Sequence, residues 1–341
     1  MILNKVISLI IINLFFFNCN RQIKTDKVTK DGKIKVLIID GENSHGIWPK
    51  TTFMMKDYLD QTGLFEVSIK RKRYMWIGPH HDAIEGVEDI NTLVDLYPVR
   101  DNVKRQLVSE TKYDPDFNVD FDKYDVIISN LGWKSSNWPD DVKASFESYI
   151  KNGGGLVVVH GANNAWGDWD AFNKMTGLGG WGGRDISSGP YVYIDNNNEL
   201  VRDNSDGPCA SHGPKHNFVL KTRAKDHPIM KGLPDSWIHS KDELYAQMRG
   251  PAENMTILAT AYSDPVYKGT DRHEPILMSI KYGNGRIFHS TMGHMDYSFE
   301  CVGFITTFQR GVEWAATGKV TQKVPKDFPN VTSVSKRKWS K

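Results

Sequence analysis

The stretch that decides the fold is Asn152-Gly153-Gly154-Gly155-Leu156-Val157-Val158-Val159-His160-Gly161. Four consecutive apolar residues leave no polar side for solvent, which is how a strand buried on both faces reads. The three glycines before it stop a helix that begins after Pro139 and places Val142, Phe146, Tyr149 and Ile150 on one face. Upstream the same grammar repeats. Ile34 and Val36 to Ile39 form an apolar run ending at Asp40-Gly41, and Pro49 then opens a helix with Phe53, Met54, Tyr58 and Leu59 at helical spacing, closed by Gly63. Phe65 to Ile69 and Tyr124 to Ser129 read as further strands. Strands alternating with helices predict an α/β fold with a doubly wound, mostly parallel sheet.

Beyond His160 the pattern breaks into loops rich in Gly, Asn and Trp. Short strands at Tyr191 to Ile194 and Phe218 to Leu220 extend or cover the sheet. Ile276 to Ile280 and Arg286 to Ser290, joined by Gly283-Asn284-Gly285, read as a hairpin, and a closing helix runs near Phe304 to Ala316.

Across 341 residues, 43 Lys plus Arg against 41 Asp plus Glu give a net charge of +2. That balance gives no footprint for nucleic acid. At the N-terminus, Lys5 precedes the apolar stretch Val6 to Phe17, too short to span a bilayer but suited to a signal peptide. Phe16-Phe17-Asn18-Cys19 resembles a bacterial lipoprotein signal, so residues 1–18 are expected to be removed and Cys19 lipidated, with an ordinary signal peptide as the alternative. Residues 19–33 form a polar, Lys-rich linker, 34–318 the domain, and 319–341 an irregular tail. The expected location is periplasmic and membrane-anchored. Cys209 and Cys301 would remain, in a compartment where they could pair.

In an open α/β sheet the ligand crevice lies beyond the carboxyl ends of the strands. Glu42, Asn43, His45 and Trp48 follow the first strand, Trp133 the third, and His160, Asn163, Asn164, Trp166 and Trp169 the fourth; His294 follows the late hairpin. Imidazoles exchange protons near neutral pH, and indoles offer flat area with a polar N–H that suits sugars. Several sharper motifs fail on context. Gly177-x-Gly179-x-x-Gly182 follows a helix-like segment instead of a strand, so it reads as a flexible substrate loop and not a dinucleotide site. His212 and His216 have helical metal-pair spacing, but Gly213-Pro214 lies between them. His80-His81-Asp82 reads as a solvated loop. No cofactor is firmly indicated; a divalent metal fits the abundance of His and carboxylate without any diagnostic spacing.

Four segments carry a family resemblance: Gly153 to Ala162; Asp226-His227-Pro228-Ile229 with Gly232-Leu233; Asp242-Glu243-Leu244-Tyr245; and Gly283 to His289 running on to Gly293-His294. They resemble the ThuA-like (trehalose utilisation) family. The resemblance implies a flavodoxin-like three-layer sandwich similar to class I glutamine amidotransferases, and a role in processing disaccharides or their keto derivatives. Amidotransferase chemistry needs a cysteine on the turn after a strand. Here that turn carries His160-Gly161. The expected catalytic residues are therefore His45, His160, Glu243 and His294, with Trp48, Trp133, Asn163, Trp166 and Asp242 binding a small carbohydrate. The leading reading is an exported acid–base enzyme, a hydrolase, lyase or isomerase. A non-catalytic carbohydrate-binding lipoprotein and a metal-dependent hydrolase are the alternatives, and the oligomeric state is left open.

Overall fold

The computed structural model describes residues 32–340. The expected signal peptide and Cys19 lie outside the described residues. In chain order the strands are β1 (Ile34–His45), β2 (Phe65–His80), β3 (Gln106–Leu107), β4 (Val126–Ser129), β5 (Gly155–Val159), β6 (Tyr191–Ile194), β7 (Leu200–Asp203), β8 (Ser211–His212), β9 (His216–Thr222), β10 (Ser236–Asp242), β11 (Tyr245–Ala246), β12 (Met255–Ser263), β13 (Arg272–Tyr282) and β14 (Gly285–Ser290). The main sheet runs β10-β9-β12-β13-β14-β5-β4-β1-β2-β3. From β14 to β3 every neighbour is parallel. From β14 to β10 every pairing is antiparallel, starting with the β13–β14 hairpin.

The parallel strands are apolar on both faces because both are covered. On one side Val36, Ile38, Val126, Ile128, Val157 and Val159 pack with Met54, Leu59, Phe304 and Phe308, from the helices Trp48–Asp60 and Val302–Thr317. On the other, Leu37, Ile39, Ile127, Leu156 and Val158 pack with Phe146 and Ile150 of the helix Asp140–Lys151. Adjacent residues of one strand thus serve opposite cores, and each such side chain contributes about 1.5–3 kcal/mol on leaving water. The result is the expected doubly wound α/β sandwich, with the antiparallel half as an extension on one edge.

Strands β1 and β2 are longer than their apolar runs suggest. β1 continues past Asp40-Gly41 to His45, with irregular register at Asp40/Glu42 and Asn43/His45. The charges that hide this continuation are buried and paired across the two strands, Asp40 with Arg71 at 2.7 Å and Glu42 with Lys72 at 2.8 Å. Their desolvation is offset by each other, so β1 carries polar groups all the way to the crevice. Glu42 also accepts from Ser136 N at 2.9 Å, and its main-chain oxygen accepts from Gly132 N at 3.1 Å, which holds the loop bearing Trp133.

Candidate active site

Four separate elements deliver four polar side chains to one point at the carboxyl edge of the parallel strands. His45 ends β1, His160 follows β5, Glu243 follows β10, and His294 follows β14. One ligand-capable atom of each lies within 4.8 Å of the others, and all four residues are buried. The imidazole centroids of His45 lie 4.6 Å from His160 and 4.9 Å from His294. His160 opens a short 3-10 turn with φ of +45°, a left-handed conformation that a bulky side chain adopts only when its surroundings impose it. A Cβ on the next residue, Gly161, would stand 2.4 Å from His45 Nδ1. Glycine there is what lets His45 come down onto the turn.

The hydrogen bonds fix which nitrogen of each ring faces inward. His160 Nδ1 donates to Thr291 O at 2.6 Å, which leaves the Nε2 lone pair to accept from the Tyr245 hydroxyl at 2.9 Å. Asn43 Nδ2 donates to Asn130 O and Leu131 O, each at 3.3 Å, so its Oδ1 is the acceptor for His45 N at 2.9 Å and for His45 Nδ1 at 3.2 Å. His45 Nε2 thereby also turns its lone pair inward, 3.5 Å from the same hydroxyl. His294 Nδ1 stands 3.1 Å from Glu243 Oε2, near enough for an ion pair yet not aligned for an N–H···O bond, and this buried nitrogen has no hydrogen-bond partner.

Burial is the main reason His45 and His160 stay neutral. It pushes His160 down to about 4, with His294 adding to the effect against the pull of Asp242 and Glu243. His45 lies well below its ordinary value, through burial and then through His160 and His294. Burial alone would raise the Glu243 carboxyl, but His294, His160 and His212 outweigh it and hold it below the usual range. Two neutral imidazoles with inward lone pairs, a third imidazole with an unpartnered nitrogen and a carboxylate make an N3O donor set. That set suits a borderline divalent cation such as zinc. The residues fit a metal on the chemistry of their donors and on the orphaned His294 nitrogen.

Beside the cluster opens a cavity of about 610 Å³, with His45, Glu243 and His294 at its base and Ser44, His80, Trp133, Asn164, Trp181, Arg184, Cys209, His212 and Tyr245 among its walls. Trp133 lies in the wall. Other expected residues are not in the wall. Trp48 is buried behind the site, donating to Trp76 O at 3.0 Å and lying under the Arg71 guanidinium. Trp166 packs edge-on against Trp138, Trp169 and Phe172 in the second core. Asn163 turns inward and donates to His289 Nε2 at 3.0 Å. Asp242 is fully buried and consumed by four bonds: from His239 Nε2 at 2.8 Å, Gly293 N at 2.8 Å, Glu243 N at 2.9 Å and His294 N at 3.0 Å. It places the loops of Glu243 and His294 and has no atom left for substrate. His160 sits behind Tyr245 and His45 and is absent from the cavity wall.

Sequence reasoning placed Asn164 after the fourth strand and Trp181 in a substrate loop without naming either as a binding residue, missed Tyr245 and Arg184 as wall residues, and set aside His80 and His212. His212 lies 3.6 Å from Glu243 Oε1. Tyr245 could have been found, since it closes the Asp242-Glu243-Leu244-Tyr245 motif; His212 had no helical context to signal it. His216 instead stacks on Tyr267 at 3.8 Å. Cys209 and Cys301 are both free, so the pairing allowed above does not occur. No helix among the described residues is long and apolar enough to cross a membrane.

No curated protein matches the chain. Among solved structures, a ThuA-like protein from Parabacteroides merdae is 39% identical, aligning over 89% of this chain and 98% of that one with a TM-score of 0.76. A second ThuA-like protein, from Bacteroides uniformis, shares the fold at 18% identity, over 86% of this chain and 95% of the other, with a TM-score of 0.52. Residues 35–315 match the family described as ThuA, trehalose utilisation, and the chain belongs to that family.

Proposed function

We propose that this protein is an enzyme of carbohydrate metabolism in which His45, His160, His294 and Glu243 hold a divalent cation at the base of the sugar cavity. The observation that carries the reading is the convergence of four donor atoms within 4.8 Å from four elements far apart in the sequence. A metal-free general acid needs a pKa near the working pH, and His45 and His160 lie far below it. Neutral rings with oriented lone pairs serve better as ligands, and this favours the metal-dependent reading over metal-free acid–base catalysis. When bound, the cation would polarise a carbonyl or hydroxyl oxygen of the sugar. The chain's own part is to orient and to move protons. Glu243 Oε1 faces His212 and the cavity, placed to take a proton from substrate, while Oε2 faces His294. Trp133, Trp181 and Tyr245 supply the amphipathic wall that a sugar ring requires. Hydrolysis, elimination or isomerisation of a disaccharide or keto sugar all need such a proton acceptor beside a polarised oxygen.

Calorimetric titration of chelator-treated protein with zinc or manganese tests the site. One equivalent should bind, and His45→Ala or His294→Ala should abolish binding while the protein stays folded; a wild type that binds neither ion defeats the metal reading. Turnover that persists after chelation would return the assignment to metal-free acid–base chemistry, and sugar binding without turnover would favour the non-catalytic lipoprotein. We also propose export and anchoring through Cys19, on the strength of the Val6 to Phe17 stretch. Cys19→Ser should release the protein from the membrane fraction and end its labelling by fatty acid.

A further inference from the structure

The glycine-rich loop Gly177 to Gly183 follows the helix Asp170–Thr176 and belongs neither to a dinucleotide site nor to the four-residue cluster. Gly179, Gly180 and Gly182 mark tight packing in place of flexibility. A Cβ at Gly179 would stand 2.7 Å from Asn163 O, one at Gly180 2.3 Å from Ala210 Cβ, and one at Gly182 2.5 Å from Asn164 O. The loop is therefore wedged against the turn that carries His160. Arg184 pins it from the far side, donating to Ala165 O and Asn173 Oδ1 at 2.7 Å each and to Gly180 O at 3.3 Å. Trp181 N donates to Cys209 O at 3.2 Å.

All this holds a single large side chain in an unfavourable backbone state. Trp181 has φ of +49°, where an indole is a steric outlier. Backbone strain of this kind costs about 1–3 kcal/mol and persists where the surroundings over-determine it. The indole lines the cavity and meets Tyr245 at 4.9 Å and 67°, an edge contact that does not stack the two rings face to face. Tyr245 in turn lies 4.3 Å from His160. One ring therefore separates the indole from the cluster. Asn164, on the same wall, is 4% exposed and its Oδ1 has no donor.

We infer that Trp181 is the specificity-determining platform of the cavity: its indole stacks on a pyranose ring next to the histidine cluster, and the glycine loop exists to hold it there. The inference rests on the carbohydrate reading of the cavity, but not on the cation.

The test is calorimetry on chelator-treated mature protein with trehalose and with glucose as probes. Trp181→Ala should weaken binding of the sugar that wild type holds by roughly tenfold, the value of about 1.4 kcal/mol, within the upper range for an aromatic contact. Trp181→Phe keeps a ring and should lose less than about threefold. Gly180→Ala should weaken binding as Trp181→Ala does with the indole intact, because its Cβ meets Ala210 and moves the loop. In wild type, sugar ring protons should shift upfield on binding, a readout that needs no variant to fold. Unchanged affinity in a folded Trp181→Ala, or absence of the ring-current shift, overturns the inference even where the cation binds. A wild type that binds neither sugar overturns it together with the carbohydrate reading, whereas failure to bind a cation touches only the metal assignment.

Discussion

Asp242 and His239 form a buried pair, Oδ2 to Nε2 at 2.8 Å, on the core side of the site. Burial would discharge both, but each holds the other: His239 is pushed up to about 9, against burial, by Cys301 and Asp242, and Asp242 is held at about 2, against burial, by His239 and His160. The pair is therefore charged at neutral pH and locks the carboxylate that orders Glu243, Gly293 and His294. Asp242→Asn keeps the shape but strips the charge from four bonds. We expect a loss of about 3 kcal/mol or more in urea unfolding, with weakened cation binding, because the buried His239 imidazolium loses its carboxylate partner and keeps only Cys301 beside it. A variant as stable as the parent and with unchanged cation affinity would show that the pair orders nothing.

Glu243→Gln tests the opposite side of the same loop. Its backbone N–H to Asp242 is untouched, so stability should stay within about 1 kcal/mol while cation affinity falls on the order of a hundredfold, the carboxylate being the only anionic donor of the set. Equal losses of stability and affinity would mean that the side chain is structural.

Much of this arrangement was legible because parallel strands announce themselves: the apolar runs Val36 to Ile39 and Leu156 to Val159 need no partner to be read, and the residues after them are where a crevice must open. What was hidden was hidden by charge and by indole. Asp40, Glu42, Arg71 and Lys72 look exposed one at a time, and only their pairing across β1 and β2 shows the strands continuing. Trp48 and Trp166 follow the right strands but spend their area on the core, whereas Trp181 was concealed by glycines whose spacing looks flexible in a sequence and is tight packing in space. Tertiary contact decides these cases, and no periodicity reports it.

Acid should destabilise the protein in a defined window. His160, His227 and His289 are held down to about 4, each chiefly by burial, against an ordinary value of 6.5. Between those values the unfolded chain binds more protons than the folded one, so stability rises with pH there and falls on acidification from 6.5 towards 4. Above neutrality His239, raised to about 9, pulls the other way, but Cys301, lowered to about 7 by His239 against burial, releases a proton over nearly the same range. The alkaline limb should be flat. Melting temperature measured from pH 4 to 9 in chelator checks both limbs, and His227→Gln, remote from the cluster, should make the acid slope shallower. A melting temperature independent of pH between 4 and 6.5 contradicts the buried-neutral assignment.

The last prediction separates site geometry from fold. A Cβ at position 161 would lie 2.4 Å from His45 Nδ1 and 2.7 Å from its Cε1, closer than any relaxed contact, and both atoms belong to a rigid ring held by Asn43. The main chain at Gly161 does not call for φ above zero, so alanine is tolerated by the backbone itself. Gly161→Ala must therefore push the His45 ring off Asn43 and out of line with His160 and His294. Overpacking costs of this kind run about 1–3 kcal/mol, a tolerable loss for a domain with two large cores. We expect a folded protein whose cation affinity and turnover drop together by at least about tenfold, since one of four donors is displaced. Adding His45→Ala to Gly161→Ala should relieve the clash and recover stability without recovering binding. If Gly161→Ala binds the cation like the parent, His45 is not one of its ligands, and the cluster reduces to His160, Glu243 and His294.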